Sequence, residues 1–128
     1  GIEFTFIGNY NKKYKPKNIK VKRPIAEDAL GNELRKYDIY LTATKNEPCG
    51  MHQLEGMSSG LPLLFCEGGG AIKETSQGGE EFKDIETLLE KIKKIKNNYN
   101  NYVSKIDYEY ISSDRCSREF FEVIKKLL

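Results

Sequence analysis

Short apolar runs alternate with amphipathic stretches along this chain. Phe4-Thr5-Phe6-Ile7 is a β-rich run stopped by Gly8-Asn9. Ile19-Lys20-Val21-Lys22 alternates apolar and polar residues and ends before Pro24, a second short strand. Asp38 to Ala43 and Leu61 to Phe65 are nearly unbroken apolar runs, the mark of strands buried on both faces. Glu80 to Phe82 fits a last, edge-like strand. Helical periodicity fills the intervals. Asp28–Tyr37 carries Ala29, Leu30 and Leu34 on one face, with Asp28 as its cap. Cys49–Ser59 repeats Met51, Leu54 and Met57, both methionines reading as core, and Gly60 sits where a C-terminal cap belongs. Ala71 to Thr75 begins a brief helix. Ile85, Leu88, Leu89, Ile92, Ile95 and Tyr99 share one face of a long helix. A final helix, about Arg115 to Leu128, is expected to bury Phe120, Phe121, Ile124 and a terminal leucine.

Strands alternating with helices predict βαβ units, one parallel sheet and right-handed crossovers. The fold class expected is therefore α/β, a Rossmann-like parallel sheet flanked by helices, as a single domain over residues 1–128. Ligands of such sheets bind beyond the carboxyl ends of the strands. The segments there are Gly8-Asn9-Tyr10, Lys22-Arg23-Pro24, Thr44–Gly50 and Glu67–Gly70.

Composition narrows the function classes. The 128 residues suffice for one modest core. An apolar fraction of 38% and a mean hydropathy of −0.62 are low for a compact enzyme without being those of a disordered chain. No apolar run is long enough for a membrane span, and no signal-peptide pattern opens the chain, so a cytoplasmic protein is expected, the inner membrane face being the other site considered. Cys49, Cys66 and Cys116 are odd in number and far apart, which reads as free thiols. A net charge of +2, with basic residues spread out apart from 12–22 and 91–96, argues against a nucleic-acid partner. One histidine and no C-x-x-C argue against a zinc site.

The chemistry concentrates in Glu47-Pro-Cys-Gly-Met-His-Gln-Leu-Glu55. Glu47 leaves the third strand in a loop, Gly50 admits close approach of a ligand to backbone, and free N–H groups at a helix start favour an anion such as phosphate. On a helical rise the two acids stand roughly 8–12 Å apart along the axis. That is the span of two hydroxyl-bearing rings joined by a diphosphate, which suggests a nucleotide-sugar. Cys49 has no general base paired with it in sequence and reads as a packing residue, and His52 as a half-buried one.

The string Glu47-x7-Glu55, Gly56-Met57-x-x-Gly60-Leu61-Pro62, a hydrophobic strand and Gly69-Gly70-x-x-x-Glu74 resembles the donor-binding domain of retaining glycosyltransferases of the GT-B fold, in particular the large glycogen-synthase-like family 4. The resemblance is specific over 47–74 and weak elsewhere. Phe4–Gly8 matches that family's first-turn strand, with Asn9-Tyr10 in place of its usual acid and glycine. By this resemblance Glu47 is the catalytic-site carboxylate, on the donor sugar's hydroxyls near the reacting carbon. Backbone at Cys49, Gly50 and Met51, together with Gly8, meets the sugar or diphosphate. Glu55 holds the ribose hydroxyls, and Lys22, Arg23 and Pro24 meet the base. The implied reaction transfers a sugar from a nucleotide-diphosphate sugar with retention of configuration, without a metal or other cofactor.

The family's domain opens with a further strand and helix carrying an Arg and a Lys that clamp the diphosphate, and a separate N-terminal domain binds the saccharide or lipid-linked acceptor. Neither lies within these residues, so the chain is expected to be part of a larger enzyme and inactive alone. Two other classes fit the same pattern: a nucleotide-sugar epimerase or phosphorylase on this scaffold, and a non-catalytic flavodoxin-like interaction module, although Gly8-Asn9-Tyr10 lacks the acids such a module carries after its first strand.

Overall fold

A computed structural model describes residues 1–14 and 16–128. The chain runs β1 (Thr5–Ile7), a single 3-10 turn at Lys12–Tyr14, β2 (Lys20–Lys22), α1 (Glu27–Leu34), β3 (Tyr40–Thr42), α2 (His52–Ser58) and β4 (Leu63–Cys66). It continues through α3 (Ala71–Thr75), β5 (Glu80–Phe82), α4 (Ile85–Asn97), α5 (Tyr99–Ser104) and α6 (Ser113–Leu127). The class is α/β, and every strand pairing among the described residues is parallel.

The single expected sheet is in fact two. β1 pairs with β2, Thr5 opposite Lys20 and Ile7 opposite Lys22. β4 lies between β3 and β5, with Tyr40 opposite Leu63 and Leu64 opposite Glu80. No ladder joins β1 to β3.

β4 organises the core because side chains alternate across a strand. Leu64 and Cys66 face one way, into a cluster with Phe82, Ile92, Ile95 and Tyr102 under α4 and α5. Leu63 and Phe65 face the other way, packing with Met57, Ile72 and Ile106. A strand covered on both faces can be apolar throughout, as the sequence run had indicated. Truncating such a buried leucine to alanine costs about 2–5 kcal/mol.

Helix ends follow the local chemistry. Gly60, at φ +86, closes α2 as expected: its N–H bonds the Met57 carbonyl at 2.8 Å, and Leu61 N–H bonds that of Gly56 at 3.2 Å. This is the Schellman arrangement. α2 begins at His52, three residues later than predicted, because the Glu47 carbonyl is taken by Ala71 N–H and Cys49 N–H by the Glu47 side chain. Met51 is accordingly 61% exposed, and only Met57 reaches the core. Asp28 does not cap α1; Ala26 holds that position with no side-chain bond. The long C-terminal helix breaks at Asn98 (φ −129, ψ 31) into α4 and α5. α4 itself starts on a capping box, Asp84 with Thr87.

α6 departs most from expectation. Its apolar stripe is formed, but Phe120 is 67% exposed and Phe121, Ile124, Leu127 and Leu128 are also exposed. It is held at its start, where Ser112 caps Arg115 N–H and the Arg115 guanidinium stands 4.1 Å over the Tyr110 ring. Beyond that turn no described element covers it. No helix among the described residues is long and apolar enough to cross a membrane.

Two carboxylates tie helices to strands. Hydrogen bonds from Lys22, and then from Lys36 and Tyr37, hold Glu33 of α1 down to about 2. Burial pushes Glu80 of β5 up, but hydrogen bonds from Lys94, Tyr102 and Lys91 outweigh it and bring Glu80 to about 2. Both folded-state values lie below the ordinary 4.5, so this stabilisation is complete above pH 4.5 and is lost as pH falls toward 2. Melting temperature should therefore drop across that window, and drop less steeply in Glu80→Gln. An equal slope in the variant would show that Glu80 carries none of the acid sensitivity.

Candidate functional site

Two loops at the carboxyl ends of β3 and β4 are stapled together. Asn46, in the left-handed region at φ +54, donates its N–H to Gly68 O at 2.8 Å. Ala71 N–H bonds Glu47 O at 2.9 Å, and Glu47 and Gly70 form a parallel bridge. A Cβ on Gly70 would stand 2.5 Å from Glu47 O, and Gly70 sits at φ +66. Only glycine meets both demands. The third glycine of Gly68-Gly69-Gly70 is thus the one that fixes the position of Glu47.

Glu47 is half-buried, and Cys49 N–H donates to its Oε1 at 3.3 Å. Gly50 folds directly over it: a Cβ there would stand 2.7 Å from Glu47 Cγ and 3.2 Å from Gln53 Oε1. Glu47, Cys49 and Gly50 therefore lie together in a tight turn ahead of α2, where a helix had been expected from Cys49. Met51 follows them but is turned to solvent, and the Cys49 thiol is exposed, so neither serves as packing.

Gln53 belongs to this cluster and was not anticipated. It is 1% exposed, its Nε2 donates to Thr75 Oγ1 at 3.3 Å, and its Oε1 has no partner among the described residues. A buried acceptor without a donor is costly, and Gln53 Oε1 lies sealed beneath Gly50. Nothing in sequence distinguishes Gln53 from an exposed helical glutamine except that it lies six residues after Glu47 and beside Gly50.

Glu55 sits apart from that cluster. It lies in the first turn of α2 and opens onto a shallow cleft of about 510 Å³ shared with Glu27, Asp28, Gly31, Ser58 and Ser59. Glu47 does not line this cleft. Because 47–51 is not helical, the expected axial spacing of the two acids does not apply. Glu55 instead neighbours Tyr40, whose ring stacks on His52 at a centroid distance of 6.1 Å. Gly56 permits this, since a Cβ there would stand 2.4 Å from the Tyr40 ring. Burial, and after it the Glu55 charge, pushes the Tyr40 phenol up to about 12.

The remaining candidates gather at the end of the other sheet. Gly8, at φ +144, donates its N–H to Lys22 O at 3.1 Å. Arg23 and Pro24 are exposed beyond it. The Lys22 ammonium is engaged by Glu33 and lies 5.9 Å over the Tyr37 ring, and its carbonyl accepts from Gly8 N–H, so Lys22 is held within the structure by side chain and backbone alike. Among the described residues, no group of three or more His, Cys, Asp or Glu side chains is placed to hold a metal ion. Comparison with known proteins finds no matching family model and no matching curated protein.

Two outcomes test this geometry. Gly70→Ala should lower unfolding free energy by about 1–3 kcal/mol in denaturant titration, and by more than Gly68→Ala, because Gly68 has open space around its α-carbon. Equal losses would show that the Glu47 contact is not the constraint. The Tyr40 phenol, isolated by difference against Tyr40→Phe, should titrate near 12 and fall in Glu55→Gln while staying above 10.0. A midpoint unmoved by Glu55→Gln would separate the two side chains.

Proposed function

We propose that this chain is the donor-binding part of a retaining glycosyltransferase of the GT-B type, taking a nucleotide-diphosphate sugar. The observation that carries the reading is the stapled pair of loops. A half-buried carboxylate and an adjoining amide at Cys49, backed by buried Gln53, converge beyond the carboxyl ends of neighbouring parallel strands. Ligands of open α/β sheets bind there. Carboxylate oxygens accept hydrogen bonds from sugar hydroxyls, and a turn that lacks a Cβ at Gly50 lets a pyranose approach the backbone.

In this reading Glu47 accepts from hydroxyls of the donor sugar beside the reacting carbon. The Gly50 and Met51 amides face the sugar or diphosphate, while Cys49 N–H orients Glu47 Oε1 and buried Gln53 backs the turn. Glu55 is assigned the ribose, in a cleft that Glu27 and Asp28 make acidic and therefore unsuited to phosphate. The diphosphate accordingly lies away from it, toward Gly8 and Gly50, and its countercharge comes from outside these residues. The base meets the exposed segment Arg23-Pro24, since the Lys22 carbonyl is already bonded to Gly8. The acceptor and its domain are also supplied from elsewhere in the enzyme.

The test is kinetic, in the full polypeptide with UDP-, GDP- and ADP-sugars as donors. Glu47→Gln should lower turnover about 10- to 100-fold, the weight of a hydrogen bond to a charged group. Glu55→Ala should raise the donor KM and leave turnover at saturation largely intact. Native turnover in Glu47→Gln, or an absence of sugar transfer from every donor by the native protein, would overturn the reading.

A further inference from the structure

We propose that Glu33 is a positioning residue for base recognition: by clasping Lys22 it fixes the loop 23–26, which meets the nucleotide base. The inference rests on the glycosyltransferase reading and deepens it at the base end of the donor. It starts from how that loop is held. Residues 23–26 join the end of β2 to the start of α1, and no backbone hydrogen bond outside the helices and strands engages them among the described residues. Arg23, Pro24 and Ala26 are exposed, and Ala26 makes no side-chain cap bond to the helix it opens. Glu27, the next residue, sits at φ +56. A non-glycine residue keeps that conformation only where its surroundings impose it. The course of the loop is therefore set at its two ends.

Glu33 joins those ends. The Lys22 ammonium, on the last residue of β2, donates to Glu33 Oε1 on α1. Lys36 donates to Oε2 at 2.9 Å and the Tyr37 hydroxyl to Oε1 at 2.8 Å, so the buried carboxylate is aimed from its own end of the chain before it meets β2. Gly8 N–H holds the Lys22 carbonyl at 3.1 Å. Arg23-Pro24 thus leaves from a residue fixed by main chain and side chain alike. Without the clasp Lys22 regains its rotamers, and the loop samples geometries in which the base contact is lost. Apparent affinity falls by the fraction of loops that remain competent. Turnover at saturation is spared, because Glu47 stands on a different pair of loops.

A second clasp supplies the comparison. Glu80 is held by Lys91, Lys94 and Tyr102, the same chemistry, but it ties β5 to α4 and α5 and encloses none of the candidate residues.

The test measures sugar transfer by the full polypeptide from UDP-, GDP- and ADP-sugars, with preference among the bases read as the ratio of kcat/KM values. Glu33→Gln weakens the clasp from α1. Lys22→Met removes it from β2 and leaves Glu33 bonded to Lys36 and Tyr37, which decides the matter should Glu33→Gln fail to fold. Each should raise KM for the preferred donor about five- to tenfold at near-native turnover, the weight of one hydrogen bond between charged groups, and narrow the base preference by a similar factor. The double variant should be no worse than the more affected single one, since the two residues act as a unit. Glu80→Gln should keep the native base preference. A native preference in Lys22→Met, an equal narrowing in Glu80→Gln, or an unaltered protein that transfers sugar without regard to base would overturn this inference and leave the glycosyltransferase reading standing. Absence of transfer from every donor by the unaltered protein would overturn that reading, and this inference with it.

Discussion

The structure depends on the burial of β4 from both sides. Leu63, Leu64, Phe65 and Cys66 supply one wall of each of the two apolar clusters. The elements of the core are placed by how they cover or flank this strand. α4 and α5 cover the Leu64 face, with Tyr102 and Lys94 reaching Glu80 on the neighbouring strand. α2 and α3 cover the Leu63 face. Because β3 and β5 are parallel to β4, their carboxyl ends emerge together, and the loops that follow are brought to one side of the domain without any further device. The location of the candidate site is thus a consequence of core burial.

Within that site the determinant is close approach of backbone. Gly50, Gly56 and Gly70 each stand where a methyl group would collide, against the Glu47 side chain, the Tyr40 ring and the Glu47 backbone respectively. These glycines hold two loops and the start of a helix closer than side chains would allow, and so convert an otherwise solvated glutamate into a half-buried acceptor. Gly68 has no such neighbour and serves only the turn. Gly68 and Gly70, two positions apart in one glycine run, therefore do different work, which composition alone does not reveal.

Much of this was legible in the residues. The apolar run Leu61–Phe65 marked the central strand, Gly60 marked the end of α2, and Glu47 and Gly50 were marked by lying just past a strand. What sequence did not carry was tertiary in origin. The late start of α2 follows from bonds that Glu47 and Asn46 make to a loop twenty residues away, against a local pattern that favoured helix from Cys49. Nothing in sequence singles out Glu33 or Glu80, which become anchors only through the lysines and tyrosines that converge on them. Gln53 carries no sequence signal of its own, because burial of a helical glutamine depends on which face the sheet covers.

The division into two sheets and the bare face of α6 share one physical form. In each, secondary structure is complete while no described element packs against it. The stripe of Phe120, Phe121, Ile124 and Leu127 is as regular as that of α4, and α4 buries Ile92 and Ile95 where α6 buries nothing. Periodicity reports that a face is apolar; it cannot report whether the surface it fits is present. The same distinction holds for β1 and β3, whose inner edges are as well formed as those paired to β2 and β4. Local pattern specifies the element, and burial specifies the domain, so a chain can satisfy the first everywhere and the second only around β4. On that basis the described residues form one closed core, built on β4, with two interfaces left open. The face of α6 alone exposes Phe120, Phe121, Val123, Ile124 and Leu127, whereas the loops around Glu47 expose Met51.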